Sequence, residues 1–203
     1  MAFGFHLLYN ELARTYDWVS WAVSMGRWRS WQRAVLPRLS GERVLEVALG
    51  TGNLLLDLAE AGYRCYGVDL SASMLRITRA KLLGHGITVP LCQARAQSLP
   101  FQAEAFDSIA ITFPANFIRD EDALRELARV LKRGGRLVIV EEGYLLARNP
   151  LSLFLNWLYV ITGQRGPSQA LSNLLNQIGL RARQEEDSDR VSKVRVVVAT
   201  KER

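Results

Sequence analysis

With 203 residues, about half of them apolar, the chain can bury one substantial core but not two, so a single domain over 1–203 is expected. The formal charge of +6 rests mostly on Arg, yet no Arg/Lys cluster alternates with aromatics at the spacing of an RNA-binding motif, which argues against a nucleic-acid partner. No basic start leads into an apolar run and a small-residue cleavage site, and no stretch reaches the roughly 18 apolar residues of a spanning helix, so a soluble cytoplasmic protein is expected.

Residues 1–40 come first, an aromatic and basic stretch with helical patterning. It holds Tyr9, Tyr16, Trp18, Trp21, Trp28 and Trp31, and it is expected to pack over the rest as a lid. Residues 41–142 form the expected core, where short β-rich runs alternate with helical patterns, the signature of βαβ units around a mostly parallel sheet. Strands are predicted at 43–48, 64–69, 88–92, 106–112 and 136–141, and two more at 180–185 and 194–200 in a closing segment, 179–203.

Leu54, Leu55, Leu58 and Ala59 sit at helical spacing after the first strand. A second helix is predicted from Ser73, as N-cap, to Leu83, ahead of Gly84 and Gly86. A third spans 122–131, with acids at its start, Leu124, Leu127, Ala128 and Leu131 on one face, and Lys132, Arg133 and the Gly134-Gly135 pair as its exit. Residues 143–178 form an apolar insertion with a helix between the fifth and sixth strands. Cys65 and Cys92 fall near opposite ends of runs that would be parallel neighbours, an arrangement that disfavours a disulfide.

The string VLEVALGTGN carries the most chemistry. A strand runs directly into a turn with Gly50 and Gly52, and a helix starts immediately after it. Glycine permits positive φ there and lets a ligand touch the backbone. Asp69 ends the next strand, nineteen residues beyond Gly50, about the separation at which a carboxylate reaches both ribose hydroxyls of a nucleotide. A nicotinamide dinucleotide would require a third glycine three residues after the second, where this chain has Leu55, and it fits poorly with Glu46 inside the strand.

VLEVALGTGN, YGVDLSASML, AQSLPF, AFDSIAI and LARVLKRGGRLVIVE resemble, in order and spacing, the successive motifs of class I S-adenosylmethionine-dependent methyltransferases, over residues 9–142. The likeness is greatest to the branch that methylates ubiquinone and menaquinone precursors: Ala48 stands where most relatives have glycine, and YNELARTYD followed by SMGRWRSW looks like that branch's lid. The resemblance implies an α/β fold with a Rossmann-like, doubly wound, seven-stranded sheet, mostly parallel with the last strand antiparallel, under an N-terminal helical lid.

The resemblance also implies S-adenosyl-L-methionine as cofactor, leaving as S-adenosyl-L-homocysteine. By that likeness the turn Ala48, Gly50, Thr51, Gly52 and Asn53 holds the methionine part, Glu46 supports the turn or the ammonium group, and Asp69 binds the ribose. Leu70 and Met74 flank the adenine, and Ala94, Arg95 and Ala96 line its edge. Thr112 and Phe113 face the sulfonium and the acceptor, and Tyr16 closes over the cofactor. Two positions depart from the pattern. Arg95 stands where relatives carry Asp or Asn, so the adenine amino contact passes to a backbone carbonyl or to Gln97, and Asn116 stands where the quinone branch has an arginine.

Methyl transfer from a sulfonium is an in-line displacement, so alignment and exclusion of water are the protein's main tasks, and alignment alone can supply about 7–11 kcal/mol. No metal or covalent nucleophile is called for. A base is a further requirement for some acceptors, and His6, Tyr9, Tyr16 and Asn116 are the candidates, with Tyr16 and Asn116 carried forward; His85, between two glycines, reads as exposed. Segment 149–164 holds Phe154, Trp157, Tyr159 and several Leu. It reads as a core helix, as the wall of an apolar acceptor pocket, or as a contact with the membrane surface, where Arg27, Arg29 and Arg33 of the lid would be attracted to anionic lipid. The expected function is therefore methyl transfer to a small apolar or lipid-like acceptor, by a monomer or homodimer. A phospholipid or amine N-methyltransferase, or a non-catalytic binder of the cofactor, is the alternative.

Overall fold

The computed structural model describes residues 16–146 and 168–202. The start of the expected lid, with His6 and Tyr9, and the apolar segment 149–164 lie outside the described residues. The lid enters as α1 (Tyr16–Val23) and α2 (Trp28–Arg33), and a short 3-10 turn, Leu36–Arg38, leads to β1 (Arg43–Val47). Next come α3 (Asn53–Glu60), β2 (Arg64–Asp69), α4 (Ala72–Gly84), β3 (Leu91–Gln93) and β4 (Phe106–Thr112). A 3-10 turn at Asn116–Arg119 precedes α5 (Glu121–Val130), β5 (Leu131–Leu145), α6 (Ser168–Gln177), β6 (Leu180–Ser188) and β7 (Ser192–Lys201).

The sheet order is β3-β2-β1-β4-β5-β7-β6. The pairs from β3 through β5 are parallel, and β7 runs antiparallel to both its neighbours. Helices cover both faces, so the central strands are buried on both sides and read as largely apolar runs, with buried Glu46 in β1 and Ser108 in β4 as the exceptions. Along β5, Val138 and Val140 join a core with Trp31, Val35, Leu54, Leu58 and Leu82. Leu137 and Ile139 point the other way, into a core with Ile109, Ile111, Leu124, Leu127 and Leu175. Burial of each such side chain stabilises by about 1.5–3 kcal/mol. The chain winds outward from β1 to β3 and returns to β4, which makes the crevice beyond the carboxyl ends of β1 and β4 the switch point where such sheets take ligands.

Several expected boundaries shift. The N-cap of α4 is Ser71, not Ser73: its side chain accepts from Met74 N at 3.3 Å, and both serines suit the role in a sequence reading. The third helix ends at Val130, and Gly134-Gly135 is not its exit. Leu131 is already extended and opens β5, within which Gly134 takes φ +74° beside the irregular register at Phe106 and Ser108. The third strand begins at Leu91 rather than 88, after Pro90, which has no N–H to offer a ladder. Strand β5 continues to Leu145, into the first residues of the expected insertion. Cys92 sits opposite Val68, away from Cys65, and both thiols are free.

Candidate functional site: the turn after the first strand

Ala48, Gly50 and Gly52 all have left-handed φ, at +57°, +57° and +73°. The turn is pinned by Ala48 N donating to Val68 O at 2.8 Å and Gly52 N to Leu49 O at 3.0 Å. Left-handed φ at Ala48 costs about 1–2 kcal/mol, so the surrounding structure holds it there. The two glycines have different neighbours. A Cβ on Gly52 would come within 2.4 Å of Thr78 Cγ2, so this glycine lets α4 approach, whereas a Cβ on Gly50 would meet nothing within 4 Å. Open space against the turn's backbone is thus at Gly50.

Three acids converge on this turn. Asp69, at the end of β2 and only 8% exposed, accepts from Gly50 N at 2.9 Å and from Ser71 N at 2.8 Å. Burial raises its carboxyl pKa against these amides. A carboxylate has about four lone-pair sites, so capacity remains for ribose hydroxyls. Glu46, on the β1 face that also carries Val44, is 1% exposed, and neither carboxylate oxygen has a hydrogen-bond partner. Burial pushes its pKa well up, Asp69 and Asp57 add to this, and Lys81 opposes it.

Asp17, from α1, is the third. It accepts from Thr51 Oγ1, from Asn53 Nδ2 at 2.9 Å and from Lys81 Nζ at 2.9 Å. Burial would raise its carboxyl, but the hydrogen bonds from Thr51, Lys81 and Asn53 and the Lys81 charge outweigh that and lower it. Helix α1 is thereby tied to the turn and to α4.

At the end of β4, Phe113 takes φ +50° and stacks on Trp28 with ring centroids 4.1 Å apart, edge-on to Trp31 at 6.3 Å. Thr112 Oγ1 accepts from Gln32 Nε2 at 3.3 Å, while the buried Oε1 of Gln32 has no partner. Arg29 grips Asp57 through two bonds of 3.2 and 2.7 Å and ties α2 to α3. Trp28, Trp31 and Phe113 thus form an aromatic wall at the switch point.

The remaining predicted positions spread along the edge. Leu70 is 63% exposed beside Asp69, whereas Met74 is fully buried, so only Leu70 presents surface. Ala94 N donates to Asp69 O at 3.2 Å, and Ala94 and Ala96 pack on the core between which Arg95 is exposed. Gln97 Nε2 donates to Asp120 Oδ2 at 2.8 Å, which leaves its carbonyl end as the acceptor. Asn116 is exposed in its 3-10 turn, and Tyr16 opens α1, with its side chain outside the described set. His85 caps α4 beside Glu60, on the surface. Asp17, Gln32, Thr78 and Lys81 were not legible as site residues, because tertiary packing alone assembles them.

The turn fits S-adenosylmethionine on two counts: the open cradle over Gly50, and the unpartnered buried acid Glu46, which an ammonium group would satisfy. Among the described residues no group of three His, Cys, Asp or Glu could hold a metal ion. Nor is any helix of the described residues long and apolar enough to cross a membrane.

The sheet order and the glycine turn after β1 define a Rossmann-like α/β domain with an open switch-point crevice. A solved S-adenosylmethionine-dependent methyltransferase of Methanosarcina mazei shares that fold, with a TM-score of 0.62 and 21% identity over 83% of this chain and 97% of the other. The ubiE/COQ5 methyltransferase family model matches residues 5–168, and the chain belongs to that family. It is 42% identical over 142 residues to a demethylmenaquinone methyltransferase of Thermus thermophilus, covering 66% of this chain and 64% of the relative. It is 39% identical over 150 residues to the ubiquinone/menaquinone biosynthesis C-methyltransferase UbiE of Syntrophotalea carbinolica, covering 71% and 62%. The chain thus spans about six tenths of the length of these relatives.

Proposed function

We propose that the chain methylates a ring carbon of an apolar, hydroquinone-type acceptor, with S-adenosylmethionine as methyl donor. The observation that carries this reading is Glu46, a buried acid without a partner beside an open glycine cradle and Asp69, in a chain of the ubiE/COQ5 family. When bound, the cofactor supplies a methyl group on sulfonium for in-line displacement. Glu46 and Asn53 would hold the methionine part, Asp69 the ribose, and Leu70 and Ala94–Ala96 the adenine. Thr112 orients one side of the reacting centre through its bond to Gln32, and the Trp28–Phe113 stack offers an apolar surface for a flat ring while keeping water out. The names of the relatives support the acceptor class. Exposed Trp18 and Trp21 on α1, at 71% and 60%, suit an acceptor that reaches the site from a lipid surface.

Incubation with methyl-labelled cofactor and a series of reduced naphthoquinones, phospholipid amines and soluble amines tests the reading. Label on the hydroquinone ring is expected. Label confined to an amine would move the function to N-methylation, and no transfer despite tight cofactor binding would make the chain a non-catalytic binder.

A further inference from the structure

Glu141 stands one residue beyond the last β5 position paired with β4. Its neighbour Val140 lies opposite Thr112 and accepts from Phe113 N at 2.8 Å, so Glu141 is alongside the two residues expected to face the reacting atoms. The β5–β7 register breaks between Val140 and Glu142, which leaves Glu141 as the extra residue of a bulge. Bulges re-aim side chains and recur beside active sites. The side chain is half-buried, with Oε2 enclosed and without a hydrogen-bond partner.

The other acids at this edge are committed. Asp69 holds the turn, Asp17 the lid, and Asp120 caps α5. Glu46 has no exposed side from which to exchange a proton. The charged groups acting on Glu141 are Glu142 on its own strand, Arg195 of β7 and Arg119 of the 3-10 turn. Burial first, then Glu142, push its carboxyl up to about 7 against the two arginines, a value suited to a base working near neutral pH.

We propose that Glu141 is the proton acceptor for the hydroxyl of the acceptor ring, an inference that rests on the hydroquinone reading above. The O–H bond breaks, the proton bonds to the accessible oxygen of the Glu141 carboxylate, and the negative charge passes from the carboxylate to the ring oxygen, which activates the ring carbon. The neutral acid returns the proton to water through its exposed side.

The test is Glu141→Gln, of nearly equal size, with Glu141→Asp as the conservative variant. Binding of S-adenosylhomocysteine within about twofold of the unaltered chain establishes that the site is folded. Turnover of a reduced naphthoquinone is expected to rise with pH through about 7 in the unaltered chain, to fall about hundredfold or more in E141Q with that limb lost, and to recover in part in E141D. Infrared titration without ligands should show a protonated carboxyl disappearing near pH 7 that E141Q lacks. An unaltered chain that turns over beside an E141Q that keeps its rate and its pH limb would overturn the role of Glu141 alone. A carboxyl already ionised at pH 5 would overturn it too. An unaltered chain that binds S-adenosylhomocysteine but methylates no hydroquinone would overturn the acceptor reading and this inference with it.

Discussion

Replacing each of the two turn glycines with alanine separates folding from binding. Both substitutions place Cβ at left-handed φ, which costs about 1–2 kcal/mol. At Gly52 the new methyl also drives into Thr78 on α4, at 2.4 Å from Cγ2, and overpacking of that kind adds about 1–3 kcal/mol. Gly52→Ala should therefore destabilise by about 3 kcal/mol and lower Tm by about 6–12 °C in a domain of this size. Gly50→Ala meets no atom within 4 Å, so only the backbone term applies, and Tm should drop by about 2–8 °C. Its methyl instead fills the cradle, and S-adenosylhomocysteine should bind at least about tenfold more weakly, about 1.4 kcal/mol. Thermal unfolding and calorimetric titration of both variants read the two effects. Equal stability losses, with Gly50→Ala binding normally, would refute the division of roles.

Glu46→Gln removes a buried acid whose proton the folded chain keeps above the pH at which the unfolded chain releases it. The unaltered protein should therefore lose stability as pH rises past the usual carboxylate value, and the variant should show a flatter profile, higher stability at neutral pH and weaker cofactor binding, read by Tm against pH and by calorimetry. Asp17→Asn should cost no more than about 1 kcal/mol of stability, since the Lys81 pair is half-exposed. It should release α1 all the same, seen as faster amide exchange there with β4 and β5 unchanged. Cys65, whose thiol burial pushes up to about 12, should resist alkylation in the folded protein and react only on unfolding, as mass spectrometry of labelled peptides would show.

The strand pattern was legible where burial on both faces forces it: 64–69 and 106–112 match β2 and β4 end to end. Adjacent caps were not separable, because Ser71 and Ser73 both precede a helical run and only the bond to Met74 N decides between them. The start of β5 was hidden because Lys132, Arg133 and two glycines read as a helix exit, while the chain instead passes from Val130 into an irregular strand. The spacing singles out Gly50 and Asp69 together, but the bond from the amide of one to the carboxylate of the other appears only in the structure. That Gly52 makes room for α4 depends on Thr78, 26 residues away in sequence. The latch at Asp17 likewise joins three chain regions that no local pattern connects.

In the proposed function, the bend after β1 and the carboxylate of Asp69 grip one adenosyl compound. Calorimetric titration with S-adenosylmethionine and S-adenosylhomocysteine tests this most directly. Saturable binding at one site per chain is predicted, weakened about hundredfold in Asp69→Ala through the loss of two charge-assisted hydrogen bonds. No heat from either compound at millimolar concentration with the folded, unaltered chain would contradict the account.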